Sequence, residues 1–144
     1  MAPELTVEIS DAESYFANRL YADTWGSRSS TDKLKAVVWA SKMLDGAFVF
    51  SDDAYSVDDN VVTWHPQIIA AVCEQAAWCL SIDPTKYPKL LTLGISEGNA
   101  GASGKFDKSF IAPLICEAAK TLVGDLGTLN NGDGMVKSMF LGGL

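Results

Sequence analysis

The stretch His65–Leu80, HPQIIAAVCEQAAWCL, carries one charge, Glu74, in sixteen residues, and its reading decides the fold. Ile68, Ile69, Val72, Ala76, Cys79 and Leu80 recur at helical spacing on one side. Ala70, Ala71 and Trp78 carry the apolar surface further round the cylinder. Pro66 suits the first turn, where its missing N–H costs nothing, and Pro84 in Ser81-Ile82-Asp83-Pro84 forbids continuation. A helix so short of charge is covered on most sides, so the rest of the chain is read as its cover.

Upstream, Leu5, Val7 and Ile9 alternate with Thr6 and Glu8, which predicts a short extended arm over residues 1–9. Ser10-Asp11-Ala12-Glu13 has the spacing of a capping box, opening a helix to about Ala22 that buries Ala12, Tyr15, Phe16 and Leu20. Trp25 follows in the connection. Ser29, Ser30 and Thr31 offer N-caps for a second helix from about Asp32 to Asp45, with Gly46 as its stop. Ala47-Phe48-Val49-Phe50 is too short to assign. Asp52, Asp53, Asp58 and Asp59 then lie in a stretch, Ser51 to Asn60, without a single base, which reads as a solvated, mobile acidic loop.

Downstream, Pro84 and Pro88 mark a loop, and the glycines of Gly98–Gly104 mark a flexible excursion. A last helix is expected from about Ser109 to Val123, with Ile111, Leu114, Ile115, Ala118, Ala119 and Leu122 buried and Gly124 as its stop. The fold expected is therefore all-α: a small bundle of about four helices over residues 10–124, with a flexible C-terminal tail over 125–144. That tail ends in Met135, Val136, Met139, Phe140, Leu141 and Leu144. Burying each contributes about 1.5–3 kcal/mol, which roughly cancels the ~1–2 kcal/mol per residue needed to order the segment. Such a tail is expected to order only on a preformed apolar surface.

The chain of 144 residues suits one domain with a real core. Its net charge of −7, from 18 acids against 11 bases, disfavours unaided binding to nucleic acid backbones. Cys73, Cys79 and Cys116 form an odd set without metal-type spacing and read as small core residues in a reducing compartment. Met1-Ala2-Pro3-Glu4 lacks a signal peptide's basic start and apolar run, and no stretch reaches the ~20 apolar residues that span a bilayer. The expectation is a protein kept in the cytoplasm, or one leaving the cell other than by secretion.

No catalytic constellation emerges. In Gly98–Phe106 five residues, not four, precede the Gly-Lys pair, and Phe106 stands where a P-loop has its magnesium-binding hydroxyl. His65, the one histidine, sits against Pro66 and reads as a neighbour of the helix start, not as a general base. The acidic loop lacks EF-hand spacing. Trp25, Trp39, Trp64 and Trp78 lie in apolar contexts, which favours core packing over base stacking. The reading is of a protein that is not an enzyme and has no metal or cofactor.

Three segments carry a resemblance: Asp11-Ala12-Glu13-Ser14-Tyr15-Phe16-Ala17-Asn18-Arg19-Leu20, then Trp25, then Asp32-Lys33-Leu34-Lys35-Ala36 leading into Ala40-Ser41-Lys42-Met43-Leu44-Asp45. Together they resemble the small head–tail connector (adaptor, or head-completion) proteins of tailed bacteriophages. Part of that family carries the label DnaT-like single-stranded DNA-binding protein. Pro66 opening a helix with Ala70-Ala71 and Glu74-Gln75-Ala76-Ala77 also suits the family's central helix. The resemblance implies a virion subunit, assembled in the host cytoplasm, that forms a dodecameric ring beneath the portal protein and meets the next head-completion or tail protein. Genomic DNA would pass through the ring without sequence-specific contact. The resemblance further implies a portal-binding tail formed by Met135, Val136, Lys137, Met139, Phe140, Leu141 and Leu144, and many weak tail contacts would combine through effective concentration. Gln67, Ala71, Glu74 and Trp78 are then candidates for a subunit interface, and Asp52, Asp53, Asp58 and Asp59 for a lumen- or neighbour-facing surface. The alternative is a DnaT-like module that binds single-stranded DNA.

Overall fold

The computed structural model describes residues 3–82 and 115–129. Its centre is the expected helix, here α4 (Pro66–Ser81), which begins on a side-chain cap: His65 Nδ1 accepts from the Gln67 amide at 3.0 Å. Ile68, Ala71, Val72, Cys73, Ala76 and Cys79 are buried on it, together with the polar Glu74 and Gln75. Among the described residues four other helices cover it: α1 (Ile9–Ala17), α2 (Asp23–Gly26), α3 (Ser30–Ala47) and α5 (Glu117–Val123), with α3 and α5 contributing most.

The all-α expectation is overturned, because the helical body also carries two antiparallel two-stranded sheets. In the first, β1 (Phe48–Phe50) pairs with β4 (Gly127–Leu129) in the register Phe48↔Leu129, Val49↔Thr128, Phe50↔Gly127. Phe48 and Phe50 point inward while Val49 is exposed, the alternation of a half-buried strand. Gly127 suits a close approach here: a Cβ at this position would lie 3.1 Å from both Phe50 Cδ1 and Val123 Cγ1, so those side chains would have to give way slightly. The stretch expected to be a flexible tail from residue 125 thus begins with a turn, Gly124–Leu126, and a paired strand. The Ser51 amide donates to the Leu126 carbonyl at 2.9 Å and fastens the two segments further.

The second sheet replaces most of the expected acidic loop. After a single 3₁₀ turn (Asp52–Ala54), β2 (Tyr55–Asp58) and β3 (Val61–Trp64) form a hairpin, with Tyr55↔Trp64 at its base and Asp58↔Val61 at its tip. The two connecting residues, Asp59 and Asn60, have φ of 51° and 66°. Positive φ at both central residues is the signature of a type I′ hairpin turn, which Asn and Asp tolerate best after glycine. Trp64 anchors the base, with ring centroids 5.3 Å from Phe50 and 5.2 Å from Tyr55.

Helix boundaries also differ. The expected capping box does not form: α1 starts after Glu8 without a side-chain cap. The Glu13 carboxylate instead accepts from Trp25 Nε1 at 3.0 Å and pairs with Lys33 at 3.3 Å. The helix stops at Ala17 instead of Ala22, ahead of a left-handed Tyr21 at φ 58°. In α3, Gly46 lies inside the helix, which runs on to Ala47. The expected last helix starts only at Glu117 among the described residues, with Ile115 and Cys116 outside it and Ala118 exposed. Gly124, at φ 50°, does end it. Leu5 buries the expected arm against the body, its amide donating to Asp45 Oδ1 at 3.3 Å, and the arm pairs with no strand among the described residues.

The cap of α3 is well formed, with Ser29 Oγ accepting from the Asp32 amide at 3.1 Å. Ser29→Ala is expected to cost about 1 kcal/mol, read as a fall of about 3–5 °C in the melting temperature followed by circular dichroism.

Candidate functional site

The one charge on α4 organises the most elaborate polar contact among the described residues. Glu74 is 9% exposed and receives three donors from α1 and its C-terminal extension. Arg19 Nε donates to Oε2 at 2.5 Å and Arg19 Nη2 to Oε1 at 2.9 Å, a bidentate fork, while the Tyr15 hydroxyl also donates to Oε2. Burial pushes the Glu74 carboxyl up, but the Arg19 and Tyr15 hydrogen bonds and the guanidinium charge outweigh it, and the net shift is downward. Burial, then the bond to Glu74 and its charge, push the Tyr15 phenol up to about 12. The hydrogen bond to Glu74 leads the causes that raise Arg19.

Arg19 then reaches outward. Its Nη1 donates to the carbonyls of Leu20 and Tyr21, each at 3.0 Å. This clamp holds a short segment in which Tyr21 has left-handed backbone, an unfavourable conformation for a bulky side chain. The result is a ledge of two large side chains in water, Leu20 at 78% and Tyr21 at 90% exposure. Behind the ledge lies an open cleft of about 250 Å³, walled by Phe16, Trp25, Ala77, Trp78 and Cys116, with the Arg19–Glu74 pair on its floor. Phe16 and Trp25 stack at a centroid distance of 4.5 Å and make the cleft's aromatic side rigid.

At the other end of α4 stands the β2–β3 hairpin. Val57 and Val61 are 57% and 62% exposed, and Val62 is also exposed. Asp52, Asp53, Asp58 and Asp59 are all exposed and have no ion-pair partner among the described residues. The hairpin therefore projects apolar and acidic side chains together.

The candidate interface set divides. Gln67 is exposed and Trp78 half-buried, but Ala71 is fully buried and Glu74 is taken up by Arg19 and Tyr15 of the same chain. Ala71 and Glu74 thus make contacts within the chain. The candidate tail residues Met135, Val136, Lys137, Met139, Phe140, Leu141 and Leu144 lie outside the described residues. Cys73 and Cys79 are buried and their thiols pushed up to about 12 by desolvation, which leaves them protonated at neutral pH. Among the described residues no three His, Cys, Asp or Glu side chains gather as a metal site, and no helix is long and apolar enough to cross a membrane.

Sequence reading missed the ledge and its clamp. Two signals were present: Tyr15 and Arg19 are spaced i, i+4 at the end of the expected first helix, and a lone Glu74 in an apolar helix demands a cation. Compared with models of known protein families, with curated proteins and with solved structures, the chain matches none of them.

Proposed function

We propose that the protein is a structural assembly subunit of the head–tail connector type, a virion component assembled in the host cytoplasm that joins the portal to the next tail-side protein. The observation that carries this reading is the display of large apolar side chains on built elements at both ends of α4: Leu20 and Tyr21 on a clamped segment, and Val57, Val61 and Val62 on a hairpin. Exposed apolar groups at fixed positions mark interaction surfaces. The segments that resemble the connector proteins, Asp11–Leu20, Trp25 and Asp32–Asp45, are those that build α1, α2 and α3 around α4. The excess of acids, concentrated at the hairpin, suits a conduit past which DNA slides without sticking.

The test is co-sedimentation with portal protein. The full chain is expected to add a ring of density to the portal in end-on electron micrographs, and a chain lacking residues 131–144 to remain folded but lose at least about tenfold in portal affinity. Unchanged co-sedimentation would remove the tail from the portal contact. Titration of labelled oligo-dT separates this reading from a single-stranded DNA-binding module: salt-sensitive binding at micromolar or tighter would overturn the connector assignment.

A further inference from the structure

We infer that Asn18–Ala22 is a two-state element: the contact between Arg19 and Glu74 divides one helix into α1 and α2 and turns Leu20 and Tyr21 outward, and without that contact α1 runs on through Tyr21 and draws Leu20 to its buried face. The inference goes beyond the assembly-subunit reading and holds whether or not that reading does.

Nothing local stops α1. From Ile9 to Trp25 the chain has neither glycine nor proline, and Ala17, Arg19, Leu20 and Ala22 are among the better helix formers. The helical pattern continues too, with Leu20 four residues after Phe16 and eight after Ala12, the two buried residues of α1. Yet the helix ends at Ala17, and Tyr21 takes a left-handed φ of 58°, which a bulky side chain adopts only where its surroundings impose it.

Two side chains impose the break. Asn18 Nδ2 donates to the Ser14 carbonyl at 3.2 Å, the acceptor that the Asn18 amide would use in a continued helix. Arg19 acts likewise on two carbonyls further along. In a continuous helix the carbonyls of Leu20 and Tyr21 would accept from the amides of Thr24 and Trp25. Here both accept from Arg19 Nη1 at 3.0 Å. Glu74 makes this possible by fixing the guanidinium plane: Nε and Nη2 both donate to the carboxylate, at 2.5 and 2.9 Å, which leaves Nη1 aimed at the chain. On a helix the Arg19 side chain would lean toward the N-terminus, away from the carbonyls that follow it. The clamp and the continuous helix therefore exclude each other.

The second state fits the rest of the fold. Four added residues lengthen α1 by about 6 Å, and the four from Tyr21 to Trp25 can reach back over about 13 Å. Trp25 can keep its stack on Phe16 at 4.5 Å and its bond to Glu13, and only α2, a helix of one turn, is given up. The outward display of Leu20 and Tyr21 is thus conditional on one side-chain contact, and a partner that binds them selects the broken state.

Hydrogen exchange of the full chain, followed by NMR, tests this. The amides of Leu20, Tyr21 and Ala22 have no backbone partner among the described residues and are expected to exchange rapidly in the wild type. In Arg19→Ala and in Glu74→Gln they gain the carbonyls of Phe16, Ala17 and Asn18 and should exchange at least about tenfold more slowly. Loss of a merely stabilising pair would leave the same amides as fast or faster, so the sign of the change separates the two roles. The double variant Arg19→Ala/Glu74→Gln leaves neither charge without its partner and serves should a single variant fail to fold. Tyr21→Gly relieves the left-handed backbone with the clamp intact and should keep the three amides fast. Slow exchange of these amides in the wild type or in Tyr21→Gly, or unchanged or faster exchange in the folded clamp variants, would overturn the inference.

Discussion

Glu74→Gln is expected to lower the unfolding free energy by about 2–3 kcal/mol, as read by urea denaturation. The substitution preserves volume but removes the carboxylate that holds Arg19 and the Tyr15 hydroxyl. Breaking a fully buried pair costs about 3–5 kcal/mol. Here the Arg19 side chain keeps 32% of its surface in water, so solvent recovers part of that. The loss is pH-dependent, with a fixed sign. Glu74 has a folded pKa below its ordinary value of 4.5, so its contribution is present above that value and disappears as pH falls through the folded pKa. The gap between wild type and variant should accordingly be full at pH 7 and shrink below about pH 4.5.

Met43→Ala is expected to cost about 2–5 kcal/mol, a large part of the ~5–15 kcal/mol that holds a domain of this size. Met43 is fully buried on α3, and its sulfur receives Gln75 Nε2 at 3.5 Å and Cys79 Sγ at 3.7 Å from α4. Gln75 in turn accepts the Cys116 amide at 2.9 Å through its Oε1, so the contact links α3 to the entry of α5 through α4. Truncation leaves a cavity at the junction of three elements, where none can move in without disturbing the other two. Met43→Leu, which nearly conserves volume, should cost less than about 1.5 kcal/mol. Equal losses for the two variants would show that the sulfur contacts, and not the filled volume, matter most.

The sequence made α3 and α4 legible because their signals are local and repeated: a serine cap before α3, a proline at the first turn of α4, and a core face at helical period in both. The hairpin was not legible for a related reason. Its valines are exposed, so in-and-out alternation is absent, and four aspartates gave Ser51–Asn60 the composition of a solvated loop. Only Asp59-Asn60 between two short β-branched runs marked the turn. The capping box at Ser10–Glu13 was a sound local pattern that a tertiary partner, Trp25, took away. For the candidate site, Glu74 stood out as the odd charge, yet its partner Arg19 lies 55 positions earlier, beyond any periodicity. Nothing in Gly127-Thr128-Leu129 announces a strand, because that strand exists only through Phe48–Phe50.

The pairing of β1 with β4 also ties together distant parts of the chain. Ser51 and Leu126, bonded across the sheet's end, are 75 positions apart, and closing a loop of that length costs about 4 kcal/mol of chain entropy. Docking of α5 on α4 supplies contacts that three residue pairs do not, and it sets the second strand beside the first. The helices α1 to α4 precede α5 and β4 in the sequence, so β1 is made well before its partner strand. Until Gly127–Leu129 pairs, Phe48 and Phe50 lack the strand that lies beside them in the folded protein.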